Sequence, residues 1–101
     1  MELLSVIVPC YNEEKVIPIF YEEMCSVAES FASKDVIIEL LLIDDGSTDI
    51  TLEVIQEIRS RDPRVRYLSF SRNFGKEAAI FAGLEHAKGD YLATMDVDLQ
   101  D

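Results

Sequence analysis

The feature that most constrains this chain is a regular alternation of short apolar runs with longer amphipathic segments. The apolar runs are rich in aliphatic and β-branched residues, as in strands buried on both faces. They are Leu3–Val8, Val36–Ile43, Val65–Phe70 and Tyr91–Met95. Between them, apolar residues recur with helical spacing. These helical segments run from Glu13 to Phe31, from Asp49 to Asp62 and from Lys76 to Ala87.

Strands that alternate with helices need right-handed crossovers, which make the strands parallel and place helices on both faces of the sheet. We therefore predict an α/β, Rossmann-like fold with an open parallel sheet wrapped by helices. The 101 residues contain no linker or repeat, so they form a single domain. Two cysteines cannot make a disulfide framework and no apolar run could span a membrane, so we expect a cytoplasmic chain.

The charge balance bears on the choice of ligand. Twenty Asp and Glu against nine Lys and Arg give a net charge of −11 at neutral pH. A nucleic acid is therefore not expected as a partner, because binding its phosphates needs a basic surface. A smaller phosphate-bearing ligand would need a cation to bind here.

Acidic and polar residues gather directly after three of the four strands, in Pro9–Glu13, Asp44–Ser47 and Asp96–Asp98. Ligands of open parallel sheets bind beyond the carboxyl ends of the strands, which is where these segments lie. Asp96 and Asp98 alternate, so both carboxylates can reach one cation. A carboxylate about 5 Å from a phosphate charge costs roughly 3 kcal/mol at an effective dielectric near 20. A diphosphate here therefore requires a divalent ion, and oxygen ligands suit Mg²⁺ or Mn²⁺.

Simpler interpretations exist for two of these segments. Asp44–Ser47 could be a tight turn in which Gly46 takes a positive φ and Ser47 caps the next helix. Tyr11 could be a plain loop aromatic or a ring that stacks on a base. No Gly-rich phosphate loop is present, and the single histidine, His86, lies within a helical segment, so no nucleophile set can be built.

Together, these motifs resemble glycosyltransferase family two, the inverting enzymes with a GT-A fold. The resemblance rests on Val6–Glu13, Asp44–Asp49 and Asp96–Asp98, in the expected order. Ser71–Ala79 and Leu99–Asp101 make it closest to the branch that transfers a hexose from a nucleotide donor to a polyprenyl phosphate, such as dolichol or bactoprenol phosphate.

The resemblance implies roles for individual residues. The nucleotide sugar would be bound by Pro9, Tyr11, Glu13, Asp44, Asp45, Asp96, Val97 and Asp98. Asp98 and Gln100 would hold the Mg²⁺ or Mn²⁺ ion, with Asp96 contacting the metal or the ribose, so Asp96 and Asp98 are the implied catalytic residues. Arg72 and Lys76 would be the cations closest to the donor.

The resemblance also predicts that the chain is part of a longer protein. Members of this family continue well beyond the aspartate motif into an acceptor-binding half, so residues 1–101 would be a nucleotide-sugar-binding part truncated from a longer enzyme. The lipid-linked acceptor, and placement at the cytoplasmic face of the membrane, would then belong to the full-length protein. The isolated part is expected to be inactive alone, and its uncovered surface could self-associate.

Two other functions are compatible with the pattern. One is a nucleotide-sugar-binding domain without catalysis. The other is a Mg²⁺-binding phosphoacceptor signalling module, although its paired acids should follow the first strand, whereas Asp44 and Asp45 follow the second.

The implied roles predict a division of labour between two aspartates. Asp98→Asn should abolish the metal dependence of diphosphate binding, because it removes a ligand of the cation. Asp44→Asn should weaken binding of the nucleoside even without phosphates. Titration calorimetry with nucleosides and nucleoside diphosphates measures both effects, and equal effects of the two substitutions on both ligands would show the roles to be wrong.

Overall fold

The computed structural model describes residues 1–97, and its elements alternate as expected. They are β1 (Glu2–Cys10), α1 (Ile17–Ala32), β2 (Val36–Asp44), α2 (Thr51–Arg61), β3 (Val65–Ser69), α3 (Lys76–His86) and β4 (Tyr91–Thr94). The four strands form one sheet in the order β3-β2-β1-β4, and every pair is parallel. The predicted α/β open parallel sheet is confirmed.

Helices cover both faces of this sheet, which explains why the strands read as nearly continuous apolar runs. On one face, alternate residues such as Val6, Val8 and Leu42 pack with Phe20 of α1 and Ile55 of α2. On the other face, Ile7, Leu41 and Ile43 pack with Ala79 of α3. The core therefore consists of two layers separated by the sheet.

Helix α1 begins at Ile17 rather than at Glu13, so the expected position of its first turn is wrong. Residues 13–16 form a separate turn in which the N–H groups of Val16 and Ile17 both donate to the Glu13 carbonyl at 3.1 Å. Pro18 favours the first turn of the helix, because its ring fixes φ and it has no N–H to satisfy. The acidic residues Glu13 and Glu14 precede the helix, and no acidic side chain lies in its first turn.

The order of the strands determines where a ligand can enter. The chain moves outward from β1 to β2 and β3, then returns to place β4 on the other side of β1. The direction reverses between β1 and β4, and in open α/β sheets the crevice at this reversal is the usual binding site. Pairing continues just beyond β4, where the Met95 N–H donates to the Ile7 carbonyl at 3.0 Å. Asp96 and Val97 consequently lie beside the end of β1.

No helix in residues 1–97 is long and apolar enough to cross a membrane. Helix α1 is the longest of the three, at 16 residues.

Near the amino ends of β3 and β4, away from the cleft end of the sheet, a buried carboxylate joins the sheet to the chain that follows α3. Glu39 accepts hydrogen bonds from Ser5 Oγ at 2.6 Å, from Arg66 Nη1 at 2.7 Å and from the Lys88 N–H at 3.1 Å. Burial alone would raise the pKa of Glu39, but these hydrogen bonds and the Arg66 charge together lower it below its usual range. The carboxylate therefore stabilises the fold in its charged form.

We expect Glu39→Gln to destabilise the protein by about 2 kcal/mol at neutral pH, because a partly buried Arg66 loses its charged partner. A lowered folded-state pKa stabilises the fold above the unfolded value, and this contribution is lost as the pH falls through the folded value. Urea unfolding of both proteins from pH 7 to pH 3 should show the difference between them shrink on acidification. A difference that is constant over this range would contradict the role assigned to the Glu39 charge.

Candidate functional site

The loops at the carboxyl ends of β1 and β2 are bound to each other through Asn12. This residue has a φ of 54°, and its N–H donates to Ser47 Oγ at 2.9 Å. Its side-chain oxygen accepts the N–H groups of Thr48 at 2.8 Å and Asp49 at 3.3 Å. Next to it, the Glu13 N–H donates to Thr51 Oγ1 at 2.9 Å. Polar residues of both motifs thus hold the first two loops in one arrangement.

Gly46 brings the loop after β2 against the loop after β3. Its φ is +71°, as the turn interpretation predicted, and a Cβ at this position would lie 2.1 Å from the carbonyl carbon of Arg72. Only glycine fits there. The accompanying expectation that Ser47 caps the next helix is wrong, because α2 has Ile50 at its N-cap and the Ser47 hydroxyl is used by Asn12 instead.

Asp45 fixes the loop after β3. Its side chain accepts the N–H of Phe74 at 2.8 Å, the N–H of Gly75 at 3.0 Å and a side-chain N–H of Asn73 at 3.1 Å. Its own N–H donates to the Cys10 carbonyl at 2.8 Å. Asp45 therefore connects the ends of β1, β2 and β3, and it is only 3% exposed.

These loops and the end of β4 surround an open cleft of about 550 Å³. It lies at the reversal of strand order, where a ligand site was expected. The residues that line it are Pro9, Cys10, Tyr11, Glu13, Asp45, Asn73, Gly75, Lys76, Asp96 and Val97. Six of them are residues predicted to bind the nucleotide sugar: Pro9, Tyr11, Glu13, Asp45, Asp96 and Val97.

The other predicted residues do not line this cleft within the described part of the chain. Asp44 is 2% exposed, and its carboxylate accepts the Ser47 N–H at 3.2 Å beneath the loop. Asp98 and Gln100 lie outside the described residues. The roles of these three residues, and of the six that line the cleft, stay predictions.

Asn73 and Gly75 were not singled out individually from the sequence, although they stand in the Ser71–Ala79 stretch that supported the resemblance. Two signals could have identified them: an Asx residue and a glycine directly before a helix, both placed after a parallel strand.

The cleft lining in residues 1–97 is acidic, with Glu13, Asp45 and Asp96, and Lys76 is its single Lys or Arg. The Lys76 ammonium lies 2.7 Å from Asp96 Oδ1, at the mouth of the cleft between α3 and β4. Arg72, the other predicted cation, instead lies over the ring of Phe74 at 4.4 Å and does not contribute to the lining.

Cys10 also lines the cleft, and its thiol is a side chain that can act as a nucleophile when ionised. Burial raises the pKa of its thiol well above the usual range, and the charges of Asp44 and Glu13 raise it further. Burial of the residue, which is 1% exposed, therefore favours the neutral thiol over the nucleophilic thiolate.

The donor chemistry of the cleft suits a hard divalent cation. Asp96 supplies a carboxylate whose side chain is 39% exposed at the cleft mouth, and oxygen is the ligand that Mg²⁺ and Mn²⁺ prefer. Within residues 1–97, no three His, Cys, Asp or Glu side chains converge closely enough to hold a metal ion. Asp96 is thus the described member of the predicted ligand set.

Comparisons with known proteins agree on one family. The model of "Glycosyl transferase family 2" matches residues 5–101. A prophage bactoprenol glucosyl transferase homolog of Escherichia coli K12 is 50% identical over 98 residues, which are 97% of this chain and 31% of that protein.

Solved structures share the fold. The mannosyltransferase PcManGT from Pyrobaculum calidifontis, in complex with GDP-Man and Mn²⁺, superposes with a TM-score of 0.78 at 24% identity, covering 94% of this chain and 27% of that one. S. aureus TarS 1-349 in complex with UDP gives a TM-score of 0.76 at 26% identity, covering 97% and 28%.

This chain therefore spans between 27% and 31% of the length of these three proteins. Its sheet and helices are those of the GT-A glycosyltransferases, and the phosphoacceptor signalling alternative has no support in these likenesses. The match over almost the whole chain shows that it belongs to glycosyl transferase family 2.

Proposed function

We propose that this chain is the nucleotide-sugar-binding part of a glycosyltransferase and that the 550 Å³ cleft receives the nucleoside diphosphate of the donor. The observation that carries the proposal is convergence. Tyr11, Asp45 and Asp96 follow three different strands and belong to three separate sequence motifs, and all three line one cleft. The cleft also lies at the reversal of strand order, where this class of sheet binds nucleotides.

The end of β1 is suited to the nucleoside. Tyr11 is 45% exposed at the cleft and, beside Pro9, offers a flat apolar surface on which a base can stack. The Glu13 carboxylate lines the same wall and can accept hydrogen bonds from a ribose hydroxyl or a base N–H. The buried Asp44 at the end of β2 would contribute from below the loop.

The end of β4 is suited to the diphosphate. Asp96 would hold a Mg²⁺ or Mn²⁺ ion together with Asp98 and Gln100, and the Lys76 ammonium lies close enough to Asp96 to reach a phosphate oxygen. When bound, the ion neutralises negative charge on the diphosphate leaving group. TarS in complex with UDP and the mannosyltransferase in complex with GDP-Man and Mn²⁺ support this type of ligand.

The reaction proposed for the longer protein is inverting transfer of a hexose to a polyprenyl phosphate. An acceptor oxygen attacks the anomeric carbon, the bond from that carbon to the diphosphate oxygen breaks, and its electron pair leaves with the nucleoside diphosphate. A phosphate acceptor is already ionised at neutral pH, so it needs no general base. The bactoprenol glucosyl transferase homolog at 50% identity supports this class of acceptor.

Residues 1–101 would supply the donor half of this reaction. Their residues hold the nucleotide and fix the leaving group, whereas the acceptor has to be held in line with the anomeric carbon by the remainder of a longer chain at the cytoplasmic face of a membrane. Self-association of the isolated part through its uncovered surfaces is a further part of the proposal.

We expect UDP or GDP to bind this chain only when Mg²⁺ or Mn²⁺ is present, because the cleft itself is acidic. Titration calorimetry with both nucleotides, with the metal and then with a chelator, measures this directly. Asp35→Asn removes one carboxylate beside the amino end of β2, far from the cleft, and should bind the nucleotides with the same metal dependence as the unaltered chain. Equal affinity in chelator would contradict the metal bridge, and no affinity under either condition would contradict the proposed function.

A further inference from the structure

Asp45 is placed unusually for a ligand-binding carboxylate. Its oxygens accept three hydrogen bonds from residues 73–75, at 2.8, 3.0 and 3.1 Å, and the residue is 3% exposed. A carboxylate engaged in this way has most of its hydrogen-bonding capacity directed into the protein. The contact with the nucleotide that the family resemblance implies is therefore not its main use.

We infer that Asp45 is a positioning residue, which acts on the ligand through the 73–75 loop by fixing Lys76 at the mouth of the cleft. This inference rests on the proposed function. In that function Lys76 contacts the phosphates, and Asp45 holds Lys76 in position. Asp45 then affects the diphosphate and not the nucleoside.

The backbone between the two residues is short and well defined. Gly75 donates its N–H to Asp45 Oδ2 and is the N-cap of α3, and Lys76 is the first residue of that helix. Gly75 has φ 105° and ψ 158°, a conformation that residues with a side chain essentially do not adopt. The Phe74 ring packs edge-on against Phe70 with centroids 5.6 Å apart, which holds the loop from its other side. A shift at Asp45 is consequently transmitted to the start of α3.

Lys76 is the residue through which such a shift would reach a ligand. Among the described residues that line the cleft, it is the one Lys or Arg, and its Nζ lies 2.7 Å from Asp96 Oδ1. An ammonium at this place attracts phosphate oxygens and has no preference for a base or a ribose. Displacing it should weaken a diphosphate and leave its nucleoside almost unaffected.

The test is a double-mutant cycle on the 101-residue chain with Mg²⁺, using UDP and uridine, or GDP and guanosine if the guanine nucleotide binds more tightly. Asp45→Asn replaces one accepting oxygen with an NH₂ group that faces the N–H groups of the loop, so hydrogen bonds are lost there. We expect about a tenfold loss of diphosphate affinity, with the nucleoside affinity unchanged within about twofold. Lys76→Met should give a similar loss. In the Lys76→Met background, Asp45→Asn should then change diphosphate affinity by less than about twofold, because both act through one group.

Gly75→Ala provides an independent arm that keeps both charged residues. An added Cβ at this position meets no protein atom within 4 Å, so within the protein the substitution strains the backbone conformation that precedes Lys76. Uridine or guanosine binding shows whether the added methyl group itself obstructs the cleft. Gly75→Ala should reproduce the selective loss of diphosphate affinity, and it decides the question if Asp45→Asn does not fold. Asp35→Asn serves as the charge-matched control, and asparagine tolerates the positive φ of 63° at that position.

Each result is decisive. Equal weakening of nucleoside and diphosphate by Asp45→Asn would show that Asp45 touches the nucleoside, and additive effects of Asp45→Asn and Lys76→Met would show that it does not act through Lys76. Either overturns the inference. If the unaltered chain binds the diphosphate and Asp45→Asn binds it equally well, only the inference fails. If the unaltered chain binds neither nucleotide, the proposed function fails and the inference fails with it.

Discussion

The site depends on hydrogen bonds that join separate loops into one surface at the carboxyl ends of the strands. Asn12 holds the loop after β1 against the loop after β2, and Asp45 holds the loop after β2 against the loop after β3. Gly46 allows the second and third loops to touch backbone to backbone. Without these hydrogen bonds we expect the loops to be more mobile, because loops held by few apolar contacts open easily. Part of the polar sequence therefore holds the walls of the cleft in place through hydrogen bonds within the protein.

Much of the fold could be predicted from the sequence because its physical basis is repetitive. Continuous apolar strands have to be covered on both faces, and helices between them have to cross in one hand, so the parallel sheet follows from periodicity alone. The start of α1 could not be predicted in the same way. The apolar helical spacing does not show where the helix starts. Asn12 and Glu13 donate hydrogen bonds to Ser47 and Thr51, residues distant in the sequence, and the helix begins only at Ile17.

The candidate site was partly predictable for a related reason. Position after a strand determines which residues reach the carboxyl edge, so Tyr11 and Asp96 could be placed at the cleft without coordinates. Position does not determine what a carboxylate does once it is there. Asp44 and Asp45 are adjacent and chemically identical, yet one lies beneath the Ser47 turn and the other anchors the loop that leads to Lys76. The difference comes from loop contacts that no local pattern contains.

We propose that a nucleoside diphosphate and a divalent ion occupy the cleft between the ends of β1 and β4. Mn²⁺ tests it most directly, since the bound ion broadens the NMR signals of nearby amides. On addition of UDP or GDP with a small amount of Mn²⁺, we predict broadening centred on Lys76 and Asp96, with Tyr11 less affected and Asp35, at the other end of the sheet, unaffected. Broadening centred on any other part of the chain, or spread evenly along it, would contradict the account.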